Sequence, residues 1–314
     1  MHWRIKGLLQ KTIGVLPGGE RLHYRLQRRF GGLRDFRREL RIKIDDWTIM
    51  AGHLQAAGLQ LPGARLLEIG TGWYPTFPFA CFIAGAARIE TFDLNRHLKP
   101  ELLLACARAM PEFADAIARA AGIDPQLAHA RARALADAIA AGADLHAASN
   151  GAIAYHAPAD ATATALPPGS IDAVFSNSVL EHVAPEVLAP LYREAMRVLR
   201  PGGLMFHSVN CGDHYAYADR SIHQLNYLQY SDRQWRRWDN RFLYQNRLRA
   251  NAFVDAAREA GFELVLDTST TRPERLAQLR GMRVHPQFAG VDEQVLCITS
   301  VDFIGRRPAA GMDS

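Results

Sequence analysis

Cysteine is scarce. There are four in 314 residues (Cys81, Cys106, Cys211 and Cys297), and none stand in Cys-x-x-Cys spacing. This points to reduced thiols in a cytoplasmic protein and argues against a disulfide frame or a zinc site. No metal ligand set is expected. Long apolar runs are missing as well. The longest covers residues 77–87, short of the roughly 20 residues that cross a bilayer. The N-terminus shows no clean apolar signal region and no Ala-x-Ala site, so no secretion signal is expected. Acidic residues are depleted in one stretch. Residues 1–43 hold 12 Lys/Arg against 3 Asp/Glu, a net of +9, while the whole chain carries +5. A basic arm therefore precedes a mildly acidic body. The rest is globular in composition, 48% hydrophobic and 22% charged, with length enough for a sizeable core.

The arm reads as helical. Trp3, Leu8, Leu9, Ile13 and Leu16 fall near one helical face, among Arg4, Lys6 and Lys11, and Leu16-Pro17-Gly18-Gly19 ends the run. Further helices are expected over 20–30 and 33–58. The apolar stripe is expected to pack on the main domain as a cap. Contact with an anionic membrane surface through residues 1–43 is the open alternative.

The chain is organised around Leu66-Leu67-Glu68-Ile69-Gly70-Thr71-Gly72-Trp73-Tyr74-Pro75. An apolar run ends in an acid and then in two glycines. This is a buried strand that stops at a tight turn, where a ligand comes close to backbone. A helix over 75–84 and a strand over 88–93 follow. Asp93 ends that second strand, where its carboxylate can accept both hydrogen bonds of a ribose diol. The alanine-rich stretch 98–141 reads as short helices. Strands are expected at 152–156, 171–176, 204–209, 262–267 and 294–304, with helices at 185–199 and 247–260. Residues 200–203 are expected to be a sharp turn. Strands alternating with helices give an α/β fold with helices on both faces of the sheet, and the ligand lies beyond the C-terminal strand ends.

The dinucleotide pattern needs a third glycine where this chain has Pro75, and Trp73 and Tyr74 crowd the helix start where a pyrophosphate would sit. A nucleoside cofactor without phosphate suits the corner better, and S-adenosyl-L-methionine is one.

Five motifs in order carry a family resemblance. They are Leu66 to Gly72, Asp93, Asp160-Ala161-Thr162 with Leu166-Pro167, Ile171 to Val183, and Leu199-Arg200-Pro201-Gly202-Gly203. Over about residues 60–305 the chain resembles a class I S-adenosylmethionine-dependent methyltransferase of the type 11-like group. The resemblance implies a Rossmann-like seven-stranded sheet, order 3-2-1-4-5-7-6, with the seventh strand antiparallel. It implies S-adenosyl-L-methionine as cofactor, held by Glu68, Gly70, Thr71, Gly72, Asp93, Leu94, Asp160, Ala161 and Asn177. Two features depart from the pattern: Tyr74 replaces a third glycine, and the spacing from Asp93 to Asp160 is long. The expected organisation is a basic helical extension (1–60), a methyltransferase domain (61–305) with a helical insertion (98–145) and an acceptor-side cap (212–245), and a tail (306–314).

For the reaction, alignment of donor and acceptor does much of the work. An oxygen or nitrogen acceptor is also served by a general base, and histidine suits neutral pH. His214 is the base candidate. His182 follows the fourth strand and faces the cleft, as a base or as a holder of the cofactor's methionine end. The aromatic and arginine residues of 212–245 either stack on the acceptor or pack as a cap. The expected acceptor is a small molecule or a glycan, with cell-surface polysaccharide assembly suggested by the arm. The alternatives are a nucleic-acid methyltransferase using the basic arm, a non-catalytic S-adenosylmethionine-binding regulatory subunit, and an NAD-dependent dehydrogenase. Ser176-Asn177-Ser178-Val179 stands where base-methylating enzymes carry an Asp/Asn-Pro-Pro-aromatic motif, which disfavours nucleic acid. Deleting residues 1–43 is expected to leave cofactor affinity intact.

Overall fold

The computed structural model describes residues 2–309. Three helices lead: α1 (Trp3–Val15), α2 (Gly19–Phe30) and α3 (Phe36–Ala56). The alternating part begins with β1 (Arg65–Ile69), α4 (Thr76–Ile83) and β2 (Arg88–Phe92). The alanine-rich stretch folds as α5 (Pro100–Ala109), α6 (Ala114–Ala121), α7 (Pro125–Ala140) and the single turn α8 (Leu145–Ala148). Then come β3 (Ile153–His156), β4 (Ile171–Asn177), α9 (Pro185–Val198), β5 (Leu199–Asn210), α10 (Asp232–Trp235) and α11 (Ala250–Glu259). The chain closes with β6 (Glu263–Asp267), α12 (Pro273–Arg280), α13 (Glu293–Cys297) and β7 (Ser300–Arg306).

The seven strands form one sheet in the order 3-2-1-4-5-7-6. β1 to β5 are parallel where they pair, and β7 runs antiparallel to both β5 and β6. This is the topology that the sequence motifs imply. Alternation along the strands gives each face its own core. Leu66, Phe175, Phe206 and Ile304 join α3, α4 and the α5–α8 helices through Trp47, Phe79, Cys106 and Leu135. Leu67, Val174, Met205 and Phe303 face the other way, onto Leu188 and Tyr192 of α9 and Phe253 of α11. Fully burying one such side chain contributes about 1.5–3 kcal/mol.

α3 belongs to this core. Leu40, Ile44, Trp47, Met50, Ala51 and Leu54 are all buried in it. A boundary at residue 60 therefore cuts through one continuous apolar cluster. The helices of 98–145 are likewise buried on the sheet, through Cys106, Ile117, Ala132 and Leu135. The start of the expected tail is tied down: Arg307 Nη1 donates to Met196 O at 2.9 Å and Arg307 O accepts from Gly202 N at 2.9 Å. Tail residues 310–314 lie outside the described residues.

Two local expectations are corrected. Residues 200–203 are not a separate turn before a strand. β5 starts at Leu199, and its register on β4 jumps from Ile171–Leu199 to Ala173–Leu204, so these residues form a bulge. Gly202 takes φ +74° there, and a Cβ on Gly203 would lie 2.8 Å from Arg200 O. Residues 294–297 are helical, because the Asp292 carboxylate caps α13 by accepting from Gln294 N at 2.6 Å; the last strand begins only at Ser300.

The arm turns over relative to its expected packing. α1 buries Trp3, Gly7 and Gln10, and leaves Ile5, Leu8, Leu9 and Leu16 exposed. Gly7 explains the choice of face. A Cβ there would lie 2.8 Å from Tyr215 Oη, so only glycine lets the helix approach so closely. Trp3 inserts among Tyr215, Tyr230, Trp235 and Trp238, with ring centroids 5.1–5.8 Å away. Most of the aromatic residues of 212–245 are thus spent on packing, with Tyr215, Tyr227 and Trp235 buried.

Candidate active site

β1 and β2 end side by side, with Ile69 paired to Phe92. Beyond them the chain turns through Gly70 at φ +83° and Gly72 at φ +69°. A Cβ on Gly70 would lie 2.6 Å from Val179 Cγ2. The turn after β4 therefore packs directly against the turn after β1.

The acids of the corner are buried. Asp93 Oδ2 accepts from Gly72 N at 3.1 Å and from Tyr155 Oη at 3.2 Å. Burial pushes its carboxyl up to about 7, against the lowering effect of those two hydrogen bonds. Glu68 accepts from Thr91 Oγ1, which also hydrogen-bonds Thr71. Burial pushes Glu68 up to about 7 as well. Leu94, beside Asp93, is 70% exposed, an apolar side chain left open at the mouth of the corner.

The remaining sequence-named residues are placed less directly. Asp160 is exposed and caps its own loop, its Oδ1 accepting from Thr162 N and Oγ1, both at 2.8 Å. Ala161 packs against the β1–β4 face of the core. Asn177 Nδ2 donates to Asp46 Oδ2 at 3.1 Å, which ties the end of β4 to α3.

A second cluster lies just past the ends of β4 and β5. The turn Leu180–His182 follows β4, and His214 follows β5. Asn246 pins that turn, its Nδ2 donating to Leu180 O at 2.7 Å and to Val183 O at 2.9 Å. Gln245 holds the other side: its Oε1 accepts from His214 N at 2.9 Å and its Nε2 donates to Gly212 O at 2.9 Å. The rings of His182 and His214 come to 5.0 Å, and His214 Nε2 lies 3.9 Å from Glu181 Oε1. The two sequence-named histidines are thus brought together, with Glu181 between them. His214 is held near 3 by burial and by the neighbouring His182, so it is neutral and a weak base. Burial pushes Glu181 up to about 8.

Sequence reasoning passed over Glu181, although it stands next to His182. It also missed Tyr155, whose hydroxyl reaches Asp93 from β3, and the arm's contact with the corner. Tyr24 of α2 stacks on Trp73 at 5.4 Å and donates to Glu101 Oε1 at 2.7 Å. His23 stacks on Phe242 of the cap at 3.9 Å. α2 therefore bridges the corner and the cap. A cavity of about 340 Å³ is lined by Tyr230, Gln234, Arg283 and His285, and none of the corner residues line it.

Residues 106–207 match the family model of a methyltransferase domain. The match begins in α5, after the glycine corner, and ends in β5, so it includes the Glu181–His182 turn. No curated protein matches the sequence. Solved structures similar to this chain include an S-adenosylmethionine-dependent methyltransferase from Mesorhizobium loti, at 18% identity over 81% of this chain and 96% of that one, with a TM-score of 0.40. They also include the geranyl diphosphate C-methyltransferase of Streptomyces coelicolor A3(2), at 15% identity over 82% and 78%, with a TM-score of 0.42.

Proposed function

We infer, from a chain with the sheet order and the domain match of the class I S-adenosylmethionine-dependent methyltransferases, that the protein moves the methyl group of S-adenosyl-L-methionine to an oxygen or nitrogen of a small molecule or glycan. The observation that carries this reading is the Asp93 carboxylate, held at the end of β2 against the Gly72 amide of the neighbouring strand end. A ribose diol can take over the carboxylate from Gly72 and Tyr155, which makes this the ribose anchor. Leu94 offers an apolar surface for the adenine, and Glu68 and Thr71 shape the turn from beneath.

The acceptor approaches from the side of Glu181, His182 and His214. The nucleophilic atom attacks the methyl carbon as the carbon–sulfur bond breaks; the sulfur keeps the bonding pair, and the acceptor's proton leaves. Alignment supplies most of the rate. A neutral His214 is too weak a base to take the acceptor's proton outright, so that proton passes to solvent.

The arm fits an anionic membrane surface. Its outward stripe of Ile5, Leu8, Leu9 and Leu16 is continued by exposed Val15, Leu22 and Phe30, within a stretch of net charge +9. Aliphatic side chains have no use against a phosphate backbone, whereas they insert among lipid headgroups beside basic residues. A membrane-facing arm suits a glycan acceptor carried on lipid, and this favours it over a nucleic acid.

The deciding experiment incubates the protein and cell extract with methyl-labelled S-adenosylmethionine, then separates lipid-linked, saccharide, nucleic-acid and protein fractions. Label in a lipid-linked or saccharide fraction is expected. S-adenosylhomocysteine binding without label in any fraction would favour the regulatory-subunit alternative, and tight NAD binding with no response to S-adenosylhomocysteine would sink the methyltransferase reading.

A further inference from the structure

Glu181 is 2% exposed, yet neither of its carboxylate oxygens has a hydrogen-bond partner among the described residues. The backbone amides of Glu181 and Asn210 lean toward the carboxylate without reaching full hydrogen-bond geometry, and together with the charge of Lys43 they only moderate the cost of its burial. His214 Nε2 is buried and unpartnered at the same place. Three orphaned polar atoms facing one another need an explanation, because buried polar groups are nearly always satisfied by protein, water or an ion.

The third member is already oriented. His182 Nδ1 meets Tyr244 O at 2.6 Å. A carbonyl can only accept, so Nδ1 carries the proton and Nε2 is left with its lone pair free. Metal-binding histidines are held in this way, with the outer nitrogen donating to a carbonyl or carboxylate. One donor atom from each of Glu181, His182 and His214 can be chosen so that all lie within 4.8 Å of one another. Donors on a tetrahedral ion with bonds of about 2.1 Å stand roughly 3.4 Å apart, so modest side-chain rotation closes the set.

We propose that Glu181, His182 and His214 bind one divalent first-row transition-metal ion on the acceptor side of the glycine corner. Two imidazoles and one carboxylate form a donor set that such ions prefer to magnesium or calcium, and three protein ligands leave coordination positions open. His182 lies at the surface and gives the ion a way in. The site sits just past β4 and β5, and Val179, two residues before Glu181, touches the Gly70 turn. Resting on the methyl-transfer reading, the open position would take an acceptor hydroxyl. The ion would ease loss of its proton to solvent before the oxygen attacks the methyl carbon. This departs from the sequence expectation that no metal is bound.

The test uses the full chain, stripped with a chelator and titrated with Co(II) as a spectroscopic probe and Zn(II) by calorimetry. One equivalent of Co(II) with visible absorption above that of the aqueous ion is expected. E181Q and H214A should each weaken binding by more than about tenfold, the lower end of what even an outer-shell partner is worth. His182 is exposed, so H182A keeps the fold and should weaken binding likewise. Thermal melting and S-adenosylhomocysteine calorimetry run in parallel on every variant. A featureless Co(II) titration in wild type, meaning that the site holds only water, overturns the proposal. So does equal affinity in wild type and H182A. If S-adenosylhomocysteine binds and Co(II) does not, the metal alone is lost; if neither binds, the methyltransferase reading fails with it.

Discussion

Tyr24 of the arm lies on Trp73 of the glycine corner, ring centroids 5.4 Å apart and planes inclined by 22°. Trp73 is the residue after Gly72, whose amide holds Asp93. The arm therefore braces the segment that positions Asp93. Trp73 also meets His97 at 5.0 Å, and Lys99 lies 5.0 Å over the Tyr24 ring, so the loop after β2 joins the same stack.

The expectation that the arm is independent of cofactor binding is revised on this ground. Tyr24→Ala should change S-adenosylhomocysteine affinity by about 0.5–1.5 kcal/mol, the worth of one aromatic pair, with weaker binding expected. Deleting residues 2–35 should weaken it further. The cut must stop there, because Leu40 is 1% exposed within the main core. Calorimetry decides; identical affinity in all three proteins would make the arm a bystander.

Trp3 is the latch of α1. It is buried among four aromatic rings, and its amide donates to Asp219 Oδ2 at 2.8 Å. Trp3→Ala should cost about 3–5 kcal/mol of local stability. That exceeds what the remaining contacts of one short helix can hold, so α1 should open while the sheet stays folded. Limited trypsin digestion would then cut quickly within residues 4–11 and leave a resistant core, and cleavage at the wild-type rate would show that the latch lies elsewhere.

The exposed stripe makes a separate prediction. Leu8→Glu with Leu9→Glu should abolish flotation with anionic phosphatidylserine vesicles. Neither side chain is buried, so thermal melting and S-adenosylhomocysteine affinity should stay at wild-type values. Wild-type binding to anionic vesicles should fall as salt rises, since basic residues supply part of it. No flotation of the wild type, or equal flotation of the double variant, would remove the membrane from the account.

Much of this fold could be read from residues alone, for identifiable reasons. The strand at Leu66–Ile69, the turn at Gly70–Gly72 and the acid at Asp93 are local signals, each set by a few neighbours. The sheet order came from the family resemblance that those motifs carry. What stayed hidden depended on distant partners. The buried face of α1 was misread because Leu8, Leu9 and Leu16 look like a core stripe, whereas the space at Tyr215 admits only Gly7. Gln294 to Cys297 looked like strand until Asp292 capped a helical turn. The Glu181–His182–His214 cluster needs two strand ends and Asn246 to assemble, and only Glu181-His182 is adjacent in sequence.

Burial lifts Asp93 from 3.8, and Glu68 from 4.5, to about 7. The folded chain therefore holds more protons than the unfolded one between roughly pH 4 and 7. Their contribution to stability is full below that window and is lost as pH rises through 7. His207 acts in the opposite sense. Burial depresses it from 6.5 to about 3, so its contribution is present above 6.5 and is lost on acidification. Between pH 6.5 and 8 the last of the histidine gain fades, while Asp93, Glu68 and Glu181, the last lifted to about 8, lose their protons and decide the direction. The melting temperature of the ligand-free protein should fall over that interval, and fall less in Asp93→Asn. Ligand binding runs the other way. Ribose hydroxyls donate to an ionised carboxylate, so S-adenosylhomocysteine should bind more tightly at pH 8 than at pH 6, with proton release in between. Asp93→Asn should erase that dependence, and Asp93→Ala should weaken binding at pH 8 by about 1–3 kcal/mol. Calorimetry in buffers of different ionisation enthalpy measures the proton count directly. A pH-independent affinity in wild type, or an unchanged affinity in Asp93→Ala, would refute the assignment of Asp93 as the ribose anchor.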